Sequence, residues 1–292
     1  MKATFTIMLV LVSTWLMGQS FSEKISKEFT FEKKSDQNAI IVANINGDIN
    51  VVGYNGDKVI VEINKQINAK TDARLEQGKK TQLGVLDRAD TLMFYIDGIC
   101  QRFGRRSESK NSPGEGWGYI WDKCDNCNES FDYTMDFTIK VPYGVHVSVS
   151  TVNDGNILVE NTKSIVNANN VNGNIKLQQL ERESRAVTIN GDVDIEYAAN
   201  PKKDCRFYSL NGDINAWFQK GLAARLSFDS FNGSFYTNID PIRQLPPQLE
   251  ENKNGNGMKY KVKGNLYQIG AGGMLLDFET FNGNVYLKER TN

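Results

Sequence analysis

The sequence is poor in histidine, proline and cysteine. Its 292 residues hold one histidine, His146, so a metal site built on several histidines is excluded and any His-based triad depends on this residue. Proline is scarce at 6 while glycine reaches 25, which predicts many tight turns. Neither charge sign dominates: 34 basic and 35 acidic residues leave a net charge of −1. The chain therefore has no global electrostatic reason to seek nucleic acid or an anionic membrane. With 40% apolar and 24% charged residues it is neither a membrane-embedded nor a disordered chain. The length allows one large domain or two ordinary ones.

The one long apolar run is at the start. Lys2 forms a short positive segment, Phe5 to Met17 is an apolar run, and Gly18 and Ser20 are small residues at a plausible cleavage point. This layout predicts a secretory leader over residues 1–20. The run is shorter than the roughly 20 residues a spanning helix needs. No cysteine lies near the cleavage point, which argues against a lipid anchor. The expected mature protein is exported, to the periplasm, the outer cell surface or the medium, with no transmembrane span.

What the sequence has in quantity is one short motif: an apolar residue, Asn-Gly, a small polar residue, then an apolar one. It appears at Asn46-Gly47, Asn172-Gly173, Asn190-Gly191, Asn211-Gly212, Asn232-Gly233 and Asn282-Gly283, and with one inserted residue in VNDGNI at 152–157, which carries Gly155. From Gly155 to Gly173, Gly191, Gly212 and Gly233 the spacings are 18, 18, 21 and 21 residues. Asn-Gly is a strong tight-turn signal because both residues tolerate positive φ. Apolar residues recur at period two on both sides of each turn, which predicts two short strands joined at each corner.

Such a unit cannot bury its own apolar face, so the repeats predict stacking. The expected fold is all-β: a single-stranded β-solenoid with two strands per 18–21-residue coil. Ile49, Ile157, Ile175, Val193, Ile214, Phe235 and Val285 would form an inner column in chain order, Ile214 lying between Val193 and Phe235. The asparagines would pass amide hydrogen bonds from coil to coil. Propeller blades need twice as many residues, and a sandwich gives no reason for one turn to recur. Residues 21–292 are expected to be one continuous domain. Within it, 21–150 is irregular, with a long exposed loop at 101–130, and 151–292 is regular, with an insertion at 240–265.

The INGDI-type repeat, FTIKVPYGVHVSVSTVNDGNI at 137–157 and GAGGMLLDFETFNGNVYL at 270–287 resemble the bacterial putative-adhesin family, exported β-strand-repeat proteins of largely unknown function. The resemblance covers about residue 38 to the C-terminus, and the loop near 101–130 departs from the pattern. It implies a right-handed β-helix-like fold and carries no catalytic motif.

Chemistry-bearing residues are few. Cys124 and Cys127 form a CxxC, read as an oxidised pair in an exported protein, or with one of them bridging to Cys100. Free thiols or a metal site are the alternatives, although no second CxxC or CxxH is present. Cys205 sits at an inward position beside Phe207 and reads as a buried thiol. The acidic residues after the glycines, Asp48, Asp192 and Asp213, alternate with Asn and Ser in the same column and read as turn chemistry rather than a calcium site. Arg102, Arg105, Arg106 and Lys110 precede Trp117 and Trp121, a loop read as solvated or as a contact for an anionic glycan.

Val171, Ile189, Leu210, Phe231 and Phe281, each just before an Asn, form either an outward apolar stripe or, if the corner rotates them, part of the core. No catalytic, cofactor-binding or metal-ligating set emerges. The expected function is a non-enzymatic adhesin or cell-envelope interaction protein that meets an unknown protein or glycan and no nucleic acid. The alternative is a polysaccharide-active β-helix enzyme of lyase type, which would need clustered carboxylates or a basic residue in a groove.

Overall fold

Alternation writes most of the structure. The segment Val59–Ala69 reads VIVEINKQINA and buries every second side chain, as a strand with one face in the core must. The structure is a computed structural model that describes residues 18–98, 100, 102–105, 117–120, 130–251, 260–263 and 265–290.

In chain order the elements are β1 (Gln19–Phe29), β2 (Ala39–Ala43), β3 (Ile49–Tyr54), β4 (Val59–Ala69), α1 (Asp72–Lys79), β5 (Gln82–Asp87), β6 (Thr91–Asp97), β7 (Phe103–Arg105), β8 (Trp117–Tyr119), β9 (Phe131–Pro142) and β10 (His146–Ser150). The repeat region follows with β11 (Ile157–Glu160), β12 (Val166–Asn169), β13 (Ile175–Leu180), β14 (Ser184–Asn190), β15 (Val193–Tyr197), β16 (Cys205–Asn211), β17 (Ile214–Phe218), β18 (Ala224–Asn232) and β19 (Phe235–Thr237). The chain closes with β20 (Ile242–Gln244), β21 (Gln248–Glu251), β22 (Tyr260–Lys263), β23 (Leu266–Ile269), β24 (Met274–Asn282) and β25 (Val285–Glu289).

The strands form two large mixed sheets. The ten-stranded sheet runs β1-β4-β9-β3-β11-β13-β15-β17-β25-β19, and the eleven-stranded sheet runs β20-β23-β18-β24-β16-β14-β12-β10-β2-β6-β5. Each Asn-Gly repeat supplies one strand to each sheet, in parallel register with its neighbours: Ile175 faces Val193, and Ala186 faces Phe207. One apolar cluster joins the inner faces of both sheets, with Phe137, Phe207, Phe218 and Phe278 fully buried.

The all-β expectation stands, and the single-stranded solenoid does not. Long antiparallel pairs, β1 with β4 and β4 with β9, build one side of the ten-stranded sheet, and β5–β6 and β18–β23 are also antiparallel. Chain order is not stacking order either. The last repeat inserts before its predecessor: β24 lies between β16 and β18, and β25 between β17 and β19. Ile214 is therefore flanked by Val193 and Val285, and Phe235 lies one strand further out. The physical reason is that identical corners stack in any order, so the repeat alone does not specify which coil meets which. The β-helix-like fold implied by the family resemblance is corrected by the same finding.

Two irregular segments also take definite form. Residues 103–105 and 117–119, expected as exposed loop, pair as an antiparallel hairpin. Tyr119 is buried there; its hydroxyl accepts from the Ile96 amide at 2.7 Å and donates to the Ala43 carbonyl at 2.9 Å. Beyond β19, β23 pairs antiparallel with β18 and β20 pairs antiparallel with β23, while β21 and β22 pair with each other. At the opposite edge β1 carries Lys24 and Lys27 among its exposed residues, a charge pattern that discourages edge-to-edge pairing.

Candidate functional site

The corner residues are the first candidates. Asn153 donates its side-chain amide to Asn46 Oδ1 at 3.1 Å. A second run starts at Asn172: Asn190 donates to Asn172 at 2.8 Å, Asn211 to Asn190 at 2.9 Å, Asn282 to Asn211 at 2.9 Å and Asn232 to Asn282 at 2.9 Å. Among the described residues no side-chain bond joins Asn153 to Asn172; here the inserted Asp154, at φ +47°, separates Asn153 from Gly155.

The glycines stack as closely as backbone allows. A Cβ on Gly155 would lie 1.9 Å from the Gly47 carbonyl oxygen. On Gly173, Gly191, Gly212, Gly233 and Gly283 it would lie within 2.2 Å of the oxygen of the neighbouring corner's glycine. Those oxygens are satisfied from inside: Thr188 donates to Gly173 at 3.0 Å, Ser209 to Gly191 at 2.8 Å and Asn170 to Gly155 at 2.8 Å.

The residue after each glycine completes the rim. Asp48, Asn156, Asn174, Asp192 and Asp213 each accept, through Oδ1, the backbone N–H of the next corner's equivalent residue at 2.7–2.9 Å. Asp136 of β9 starts the ladder by accepting from Asp48, and Asn284 ends it by accepting from Ser234 at 3.1 Å. The rim is a hydrogen-bonded edge whose acidic column serves backbone donors; it is scaffold.

In the later corners the apolar residues before the Asn point outward, whereas Ile45, before Asn46, is buried in the core. Ile189, Phe231 and Phe281 are exposed, and Val171 and Leu210 are half-buried. Phe231, at 73% the most exposed, stacks on Phe281 with ring centroids 4.8 Å apart.

The other sequence candidates divide. Cys124 and Cys127, with Arg106, Lys110 and Trp121, lie outside the described residues. Cys100 is half-buried. Trp117 is faced by the guanidinium groups of Arg88 at 4.8 Å and Arg105 at 5.5 Å. His146 donates from Nε2 to the Asp36 carbonyl at 2.6 Å, a structural bond. Cys205 is buried against the Tyr197 hydroxyl at 3.3 Å, which also bonds Ser184 at 2.6 Å; burial pushes both the thiol and the phenol above their ordinary pKa values. No group of three His, Cys, Asp or Glu side chains suited to a metal ion occurs among the described residues.

One further site is a groove that sequence reasoning passed over. An open groove of about 530 Å³ lies on the outer face of the ten-stranded sheet, across β13, β15, β17 and β25. Two rows of outward side chains line or border it. Lys176, Asp194, Asn215 and Tyr286 are register partners in one row. Glu196, Trp217 and Lys288 are register partners in the other, with Arg290 beside them.

Arg290 pairs with Glu196, and Gln179 donates to Glu196 Oε1 at 2.6 Å. Gln179 reaches it from a bulge in β13, where its own φ is +53°. Asp194 accepts from Asn215 at 3.0 Å, and Glu289 accepts from the Gly221 amide at 2.9 Å. The Lys288 ammonium sits 4.9 Å from the Trp217 ring and 5.3 Å from the Tyr286 ring, and Tyr286 stacks on Tyr236 at 5.1 Å. Aromatic faces beside amides, ammonium groups and fixed carboxylates can hold a ring-shaped polar ligand by stacking and hydrogen bonding.

No family model matches the chain, and no curated protein matches it. Solved structures similar to it include a putative cell adhesion protein from Clostridium sporogenes ATCC 15579, with 10% identity and a TM-score of 0.41 over 92% of this chain and 100% of that one. A putative adhesin from Bacteroides fragilis NCTC 9343 follows with 13% identity and a TM-score of 0.34, over 92% of this chain and 97% of that one. A putative lipid binding protein from Parabacteroides distasonis ATCC 8503 has 10% identity and a TM-score of 0.26, over the same 92% and 97%. Likenesses at this level assign neither a family nor a function to the chain.

Proposed function

We propose that the protein is an exported, non-enzymatic interaction protein of the bacterial cell envelope, adhesin-like in role, which holds its partner on the outer face of the ten-stranded sheet. In this reading residues 1–20 are a leader removed on export, which takes Gln19 and Ser20 from the start of β1 and leaves it from Phe21, and 21–292 fold as one unit. No helix among the described residues is long and apolar enough to cross a membrane.

The observation that supports binding rather than turnover is the groove over β13, β15, β17 and β25. Its floor is a sheet, its rings Trp217 and Tyr286 are partly exposed, and its carboxylates are held by neighbouring side chains or backbone: Glu196 by Arg290 and Gln179, Asp194 by Asn215, Glu289 by the Gly221 amide. A general acid or base needs a proton-transfer atom directed at the ligand; these oxygens are directed into the protein's own hydrogen bonds.

The test is retention of the exported protein on envelope extract and on a glycan array, beside a Trp217→Ala variant. Retention that falls at least tenfold in the variant is the expected result. Indifference to Trp217→Ala would remove the groove from the reading. Shortening of any acidic polysaccharide in a panel incubated with the protein would replace it with the lyase alternative.

A further inference from the structure

We infer that the groove takes an acidic oligosaccharide, a chain of sugar rings bearing carboxylate or sulfate groups. This rests on the reading that the groove is the binding site, and it names the class of ligand.

The first observation is which charges are already matched. Glu196, Asp194 and Glu289 each accept from a neighbouring donor, and Arg290 is paired with Glu196. Lys176 and Lys288 have no carboxylate partner among the described residues. Lys176 is exposed, while the Lys288 ammonium is held over the faces of Trp217 and Tyr286, which leaves its N–H donors free for an anion.

The second observation is their separation. Lys176 is on β13 and Lys288 on β25, with β15 and β17 between them. Three strand intervals of roughly 4.8 Å place the two backbones about 14 Å apart. The two ammonium groups thus come from separate strands, and a short chain with acidic groups on separate rings can meet each of them with its own acidic group.

The third observation is what lies between and beside the lysines. Trp217 and the stacked Tyr286–Tyr236 pair supply flat apolar surfaces, Asn215 supplies an amide in the row of Lys176, and Gln178, in the bulge of β13, adds another at the lining. Sugar rings present an apolar face and a polar edge, and this arrangement meets both. The lining holds as many acidic as basic groups, so affinity comes from local ammonium contacts and not from a broad positive field.

The experiment is titration calorimetry of the exported protein with four probes: a uronate hexasaccharide, a sulfated hexasaccharide, a neutral hexasaccharide and a free uronic acid. One or both acidic hexasaccharides should bind at least tenfold more tightly than the neutral one and the free acid, and which of them binds identifies the anionic group. Affinity should fall as salt is raised. Lys176→Gln with Lys288→Gln should lose at least tenfold on the acidic chain and erase most of the salt dependence. Lys176→Gln alone, at an exposed position, should lose severalfold and serves if the double variant melts early.

Equal binding of neutral and acidic chains, or unchanged affinity in folded lysine variants, would overturn the inference. If envelope retention requires Trp217 while no acidic chain binds, the ligand class is wrong and the binding site stands. If retention ignores Trp217, both are wrong.

Discussion

Alanine at Gly155 separates two reasons for a glycine that are usually confounded. The φ of Gly155 is not in the left-handed region, so alanine carries no backbone strain there. Its Cβ, however, would lie 1.9 Å from the oxygen and 2.4 Å from the carbon of Gly47, both backbone atoms. The stacked corners must therefore separate by more than an ångström-scale adjustment of a side chain. Overpacking of this kind costs about 1–3 kcal/mol. The Gly47 oxygen also accepts from Asn44 Nδ2 at 3.0 Å and Thr151 Oγ1 at 3.1 Å, and displacing it puts both bonds at risk, each worth about 0.5–1.5 kcal/mol.

The expected loss for Gly155→Ala is about 2–6 kcal/mol. Gly221 supplies the opposite case: φ is +80° and nothing lies within 4 Å of an added Cβ, so Gly221→Ala should lose only about 1–2 kcal/mol. Gly144 has neither constraint, and Gly144→Ala should be neutral or stabilising by up to about 1 kcal/mol. Equilibrium urea unfolding of the three variants measures the order. A Gly155→Ala loss below about 1 kcal/mol, or one smaller than that of Gly221→Ala, would refute close stacking as the reason for the glycine column.

The rim ladder predicts an asymmetry between two similar positions. Asp213→Ala leaves the Asn284 amide without its acceptor and should cost about 1–3 kcal/mol, whereas Ser234→Ala, at the ladder's end, should stay within about 0.5 kcal/mol by the same unfolding assay. Leu210→Glu with Phe231→Glu should leave the melting profile close to wild type, because both side chains face outward; unfolding would return the stripe to the core. Cys205 should resist alkylation in the native state and react once the chain is unfolded, read by mass mapping, because its thiol is buried and its pKa raised by that burial; rapid native labelling would contradict the burial. Ending the chain at residue 273 should abolish cooperative unfolding rather than trim one end, since β24 and β25 lie inside the sheets; an unchanged urea transition would contradict the inserted order.

Much of the local structure was legible because its causes are local. Period-two alternation around Asn190-Gly191 and Asn211-Gly212 announces two strands and a corner, and β14, β15, β16 and β17 form there. The order of coils was not legible, because Val193, Phe235 and Val285 all offer a similar apolar neighbour to Ile214 and nothing local distinguishes them. The hairpin of Phe103–Arg105 with Trp117–Tyr119 was hidden by a polar composition around a few anchoring aromatics. The groove was missed for the same reason as the coil order: Trp217 and Lys288 are 71 positions apart and become register partners only through the inserted last repeat. The signal that was available is the aromatic residue at outward positions after three corners, Trp217 in INAWF, Tyr236 in SFYT and Tyr286 in NVYL.

Function in such a fold belongs to the positions that the stacking leaves free. Within one repeat the inward residues must be apolar, the residue two before the Asn must donate to a glycine oxygen, the glycine admits no side chain, and the next residue must accept a backbone N–H. Those requirements recur from corner to corner, except at the terminal one where Ser230 and Ser234 have no further corner to serve, and therefore carry no information about a partner. The outward residues are under no such constraint, and along one row they change from Lys176 to Asp194 to Asn215 to Tyr286. Parallel register holds these different side chains at a fixed strand spacing, so a ligand meets an ordered series of groups rather than a mobile loop. The insertion of β25 beside β17 then decides which series is presented: without it, β17 would lie beside β19, Asn215 would face the exposed Tyr236, and the lysine that lies over the indole ring would be absent. The topology that the repeats do not specify is thus what assembles the site.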